Sequence, residues 1–196
     1  MCRFKYGFVF ALVSLGFVSS GAAQELVRKG DFSKTIQTAS SEKTTASTVV
    51  DGAWVLSAKN PWVVQESGGN LGAYIQVDSE KISASRLLYV AHNRKNAKGA
   101  YTLSFDYHQT DANDEFGVIV FGMNKALSIG GDSGAIQMDK GVAPGMTFVE
   151  VSKRWKQHTL PINLGDGFEY IYILFAGRAQ YGQIGLDNVS FQPTRN

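Results

Sequence analysis

The side chains in this sequence that could do chemistry are aromatic rings and planar polar groups set two residues apart. Tyr170 and Tyr172 form one such pair, Asp106 and His108 a second, Tyr74 and Gln76 a third. On an extended strand, residues i and i+2 point the same way and stand about 7 Å apart. A pair of this kind offers a ligand a ring face to stack on and polar edges that exchange hydrogen bonds. That is the chemistry of binding. Trp62, directly after Pro61, is a further platform candidate at a strand start, with core packing as its alternative. Arrangements for catalysis are missing. The three histidines stand at 92, 108 and 158, without metal-triad spacing. Glycoside hydrolysis needs two flanking carboxylates, and Asp106 is the one acid expected on a ligand-facing strand. No Gly-x-Ser-x-Gly elbow or His-Glu-x-x-His motif occurs. Gly130-Gly131-Asp132-Ser133-Gly134 is glycine-rich but lacks the strand-to-helix context of a phosphate loop.

The elements that must position these residues are strands. Tyr101–His108 alternates strictly, with Tyr101, Leu103, Phe105 and Tyr107 on one side and Thr102, Ser104, Asp106 and His108 on the other. This period of two marks a half-buried strand whose outward set carries Asp106 and His108. In Phe168–Phe175, a core set of Ile171, Ile173 and Phe175 turns Tyr170, Tyr172 and Leu174 outward. Phe116–Met123 is a more continuous apolar strand. Further strands are expected at Ala53–Ser57, Trp62–Glu66, Gly72–Asp78, Arg86–Ala91, Arg154–Leu160 and Gln183–Phe191. Gly, Asn, Asp and Pro punctuate them, as at Asn60-Pro61 and Gly165-Asp166-Gly167. Thr35–Val49 reads as a loop or an exposed strand, and Ser128–Gly145 as a long glycine-bearing loop. Asp111–Glu115 reads as an acidic, solvated hairpin turn, and His92–Lys95 as a solvated basic loop. No helical period follows residue 23, so the expected architecture is all-β, an antiparallel two-sheet sandwich.

Composition agrees with a folded, non-nucleic-acid-binding domain. The chain has 196 residues, 44% apolar and 18% charged, with a net charge of +2. There is no broad basic field to attract nucleic acid. Residues 1–23 read as a secretory signal: Arg3 and Lys5 at the start, the apolar run Phe8–Val18, then small residues through Ala23. The run is about half of what a membrane span needs, so no stable membrane insertion is expected after cleavage before Gln24. Cleavage removes two of the 19 basic residues and none of the 17 acidic ones, leaving a neutral mature chain. It also removes Cys2, the one cysteine, so an exported fold must stand without disulfides. Residues 24–196 are read as a single secreted or periplasmic domain.

The ends of that domain carry a resemblance. It opens with Glu25-Leu26-Val27-Arg28-Lys29-Gly30-Asp31-Phe32-Ser33 and closes with Ile184-Gly185-Leu186-Asp187-Asn188-Val189-Ser190-Phe191. This pair resembles the opening and closing strands of carbohydrate-binding modules of families 4, 9 and 22, which are galactose-binding-like jelly rolls. The resemblance implies that first and last strands lie together. It implies a carbohydrate ligand, held by stacking and polar contacts at Tyr170, Tyr172, Asp106, His108, Tyr74, Gln76 and Trp62. It also implies a structural calcium ion near Asp31 and Asp187, although Ser33 stands where the family pattern has Glu. By the same likeness Trp54 and Trp155 fall at core positions. Two other readings stay open: a structural or adhesive cell-surface or matrix protein without a sugar site, and a polysaccharide lyase or hydrolase.

Overall fold

The structure, a computed structural model, describes residues 25–27, 30–32, 37–39, 44–45, 53–57, 62–67, 70–75, 83–92, 99–124, 128–129, 147–164, 168–179 and 182–194. The expected signal segment, Gln76, most of the basic loop after His92 and most of the glycine-bearing loop lie outside these residues. Among the described residues there is no helix. The strands are β1 (Gln37–Ala39), β2 (Thr44–Thr45), β3 (Ala53–Ser57), β4 (Trp62–Ser67), β5 (Asn70–Ile75), β6 (Ser83–His92) and β7 (Gly99–Gln109). They continue with β8 (Glu115–Met123), β9 (Ser128–Ile129), β10 (Thr147–Phe148), β11 (Lys156–Leu164), β12 (Tyr170–Ala179) and β13 (Ile184–Pro193). Every strand expected from sequence is present, with ends displaced by a few residues.

Two sheets face each other. One has the order β1-β3-β6-β12-β8-β10 and the other β11-β7-β13-β5-β4. Pairing is antiparallel throughout both, apart from the parallel edge pair of β1 and β3. This is the two-layer jelly-roll sandwich. The alternation of β7 explains its position. Tyr101, Leu103, Phe105 and Tyr107 are buried against the opposite sheet, where Phe105 meets Phe175 of β12 edge-on at 5.1 Å. Trp54 of β3 packs between Phe32 and Tyr89, each 4.9 Å away. Burying such a ring contributes about 2–3 kcal/mol, so Phe175→Ala would cost about 3–5 kcal/mol with its cavity.

The two ends of the chain close the sandwich. Leu26 N–H donates to the Phe191 carbonyl at 3.0 Å, and Val189 N–H donates to the Gly30 carbonyl at 2.9 Å. Tyr89 O–H reaches the Leu26 carbonyl at 2.9 Å. Gly30 is required here, because a Cβ would collide with the Val189 carbonyl. The carboxylate of Glu25 completes the clasp. It accepts from Val27 N–H at 3.0 Å, Phe191 N–H at 2.7 Å and Ser190 O–H at 2.6 Å. Phe32 and Phe191 belong to one continuous core, so the end motifs are neighbours as expected.

Each sheet has a second, outward face, and the two differ. On the six-stranded sheet, Tyr172 pairs across from Phe121 and Leu174 from Ile119. All four are buried, with Tyr170 beside them, and Tyr172 stacks on Phe121 at 5.1 Å. On the five-stranded sheet the edge strand β11 exposes Gln157, Thr159, Pro161 and Asn163 to solvent.

Candidate functional site

The outward face of the five-stranded sheet collects the polar chemistry of the chain. Register places Gly185 of β13 between His108 of β7 and Tyr74 of β5. Because glycine has no side chain, the two rings lean over it. A Cβ there would press into the His108 ring and sit 2.8 Å from Tyr74 Cε1. Tyr74 and His108 meet edge to face at 5.8 Å. Trp155 lies over both, 4.7 Å from His108 and 6.0 Å from Tyr74. Tyr74 is fully buried beneath this cluster and His108 is 8% exposed, whereas Trp155 keeps 37% of its surface open. The result is an aromatic platform with one ring available to a ligand.

Burial also sets the protonation of His108. Loss of solvent pushes its pKa below the ordinary 6.5, so it is neutral at neutral pH. Among the described residues its Nε2 has no hydrogen-bond partner. Moving along the strands, Asp106 faces Asp187 across β7 and β13, and Gln157 of β11 stands beside Asp106. Asn188 joins the two acids. It adopts a left-handed conformation (φ 48°) where the β13 register shifts. Its N–H donates to Asp187 Oδ1 at 2.7 Å and its side-chain NH2 to Asp106 Oδ2 at 2.9 Å. Asn tolerates this region better than most residues. Ser104, Thr159 and Thr102 extend the row of hydroxyls.

The sequence-predicted residues divide accordingly. Tyr74, His108 and Asp106 come together on this face, while Gln76 lies outside the described residues. Trp62 is not an end-loop platform. Its register against Ile75 turns it inward, where it is 2% exposed and packs on Phe116. Tyr170 and Tyr172 do face away from the core, but their rings are covered. That face carries Ile119, Phe121 and Leu174 as well, too much contiguous apolar surface to leave in water. As drawn from the sequence, an open Tyr170–Tyr172 shelf is therefore corrected. Trp155 is the residue that sequence reasoning missed by assigning it to the core. The available signal was its parity with Gln157 and Thr159, the polar set of the following strand. The acidic turn is also less solvated than expected. Asp114 is 3% exposed, its carbonyl accepts from the Gln109 side chain, and Asp111 Oδ1 caps Asn113 N–H at 2.8 Å.

A structural calcium ion fits the donor set poorly. Calcium takes about six to eight oxygens with several charges. Among the described residues, no three His, Cys, Asp or Glu side chains converge on a point. Asp31 is exposed, Asp187 is engaged by Asn188, and the Glu25 carboxylate already bridges the two ends. His108 and His158 lie on opposite faces of the five-stranded sheet, with His158 against Phe105 at 5.3 Å, so they form no metal pair.

No family model and no curated protein matches the chain. Solved structures do. A protein of Bacteroides thetaiotaomicron VPI-5482, provisionally described as sugar-binding, superposes with a TM-score of 0.58 at 13% identity, over 87% of this chain and all of that one. The fold is that of a carbohydrate-binding-module jelly roll. A family 4 module superposes with a TM-score of 0.50 at 15% identity, covering 86% of this chain and 99% of its own. A family 61 module solved in complex with β-1,4-galactotriose gives 0.50 at 14% identity, covering 72% and 88%. At such identities the likeness concerns backbone architecture, and the ligand must be argued from this chain's own side chains.

Proposed function

We propose that this chain is an exported, non-catalytic carbohydrate-binding module that takes a glycan on the outward face of its five-stranded sheet. The observation that carries the reading is Trp155, an exposed ring backed by Tyr74 and His108 at one end of a row of hydroxyl, amide and carboxylate groups. A sugar ring has an apolar C–H face and a polar rim. Trp155 suits the first, and Asp106, Asn188 and Gln157 suit the second. The fold shared with carbohydrate-binding modules supports the reading at the level of architecture. The export signal at residues 1–23 supports action outside the cytoplasm. One shallow face predicts weak affinity, with Kd of about micromolar to millimolar. The test is a glycan array followed by affinity electrophoresis on immobilised polysaccharides. Retarded migration that disappears in Trp155→Ala supports the assignment. Retardation that is unchanged in that variant removes it.

A second reading has one observation behind it. Phe148, Val151 and Trp155, 62%, 45% and 37% exposed, all lie in the segment that crosses from β10 to β11. Exposed apolar surface of this kind also suits adhesion to another protein. Light scattering across concentrations separates the two: self-association without sugar favours adhesion.

A further inference from the structure

The free edge of the five-stranded sheet carries an inference that does not depend on the sugar site. β11 is the last strand of that sheet, and among the described residues it pairs with β7 alone. A strand sends the N–H and C=O of successive residues to opposite sides. Thr194 N–H donates to the Ala100 carbonyl at 2.9 Å, so Ala100 and every second residue after it in β7 turn toward β13. Tyr101, Leu103, Phe105 and Tyr107 then turn toward β11, where they stand opposite Ile162, Leu160, His158 and Lys156 and exchange backbone bonds with them. Gln109 continues that set, and its N–H reaches the carbonyl of Ser152, in the segment leading into β11, at 2.8 Å. Gln157, Thr159, Pro161 and Asn163 are left with their backbone groups directed away from the sheet. All four residues are exposed, and among the described residues these backbone groups have no partner.

An edge of this kind invites a second strand, and folded proteins guard it by short length, charge or a bulge. β11 has none of these. It is nine residues long, its register with β7 is unbroken, and Gln157, Thr159 and Asn163 carry no charge. What stands in the middle of the free side is Pro161. It lacks the N–H that the position would offer, and its ring fills the space that a partner's carbonyl would approach. Because its nitrogen points away from β7, the proline costs the sheet no internal bond. Two copies joined edge to edge about Leu160 would set Thr159 of one opposite Pro161 of the other. Both central bonds would then be missing, with both rings in the way. We infer that Pro161 keeps two copies of this chain from joining their five-stranded sheets through β11.

Pro161→Thr restores the donor with a residue suited to strands, and the full mature chain is the material for the test. Light scattering up to about 1 mM protein reads the mass, and amide hydrogen exchange reads the edge. The variant is expected to approach twice the monomer mass as concentration rises, with slowed exchange at the amides of Gln157, Thr159 and the new Thr. Moving the guard is the second arm. Thr159 faces the same free side, so Thr159→Pro combined with Pro161→Thr should return the chain to a monomer with β11 still paired to β7. Should Pro161→Thr precipitate, Pro161→Ala restores the same N–H with a weaker strand preference and is read by the same criteria. A variant with the restored N–H that stays monomeric over the whole range overturns the inference. So does a dimer that persists in the doubly substituted protein, because its contact then lies elsewhere. A wild-type chain that itself dimerises with protected Gln157 and Thr159 amides overturns it as well.

Discussion

Replacing Trp155 by alanine removes the ring that covers His108 and Tyr74 and exposes the floor of the proposed platform. A tryptophan side chain presents about 250 Å². With 37% of its surface open, about 90 Å² is left for a ligand to cover. At about 25 cal/mol per Å², covering it contributes about 2 kcal/mol, or about 30-fold in Kd. Trp155→Phe, with a smaller ring, should fall between the two. The assay is a titration with the tightest-binding polysaccharide of the glycan screen, followed by intrinsic fluorescence. Trp54 and Trp62 are 5% and 2% exposed within the core, so a ligand-induced change should come from Trp155 and vanish in the alanine variant. Uncovering His108 and Tyr74 should also cost about 1–2 kcal/mol of folding stability, a fall in Tm of a few degrees. Binding is therefore measured well below that temperature, on protein shown to be folded. A folded Trp155→Ala protein that binds within about twofold of the wild type would refute the reasoning from exposed ring area.

Four other outcomes follow from the geometry. Glu25→Ala removes the acceptor for two backbone N–H groups and one hydroxyl at the chain ends, and should destabilise by about 2–3 kcal/mol in thermal unfolding. The donors to the Glu25 carboxylate among the described residues are protein N–H and O–H groups, so chelation with EDTA should leave the wild-type Tm unchanged. Gly185→Ala should drive His108 and Tyr74 apart, costing about 1–3 kcal/mol and weakening glycan binding in the same preparation. Burial holds the His108 pKa below its unfolded value of 6.5, so the unfolded chain binds more protons between the two values. The stability from His108 is therefore present above 6.5 and is lost as pH falls toward the folded pKa. Tm measured from neutral to mildly acidic pH should fall less steeply in His108→Gln.

Much of the fold is legible in the sequence because burial imposes a period. The alternation Tyr101-Leu103-Phe105-Tyr107 requires a core on one side, and the same logic turns Asp106 and His108 outward, where the structure has them. Parity says which face a residue takes but not what covers that face. Alternation turns Tyr170 and Tyr172 away from the core, yet their rings are buried. Trp62 begins a strand whose first three residues, Trp62, Val63 and Val64, are all apolar, so alternation gives no direction there. Only register with Ile75 resolves it. Trp155 precedes its strand and follows two basic residues, so no apolar period frames it. Its place over His108 depends on β11 pairing with β7, a contact between distant parts of the chain. The Glu25 clasp is likewise non-local, joining residues 166 positions apart.

The most direct test of the central claim is an NMR titration that maps where the glycan sits. Three indole N–H signals are expected, one each from Trp54, Trp62 and Trp155. The account predicts that the Trp155 signal moves first and furthest, together with backbone signals of Asp106, His108, Gln157 and Asn188. Shifts confined to Phe121 and Tyr172 on the other sheet, with the Trp155 signal unmoved, would contradict it.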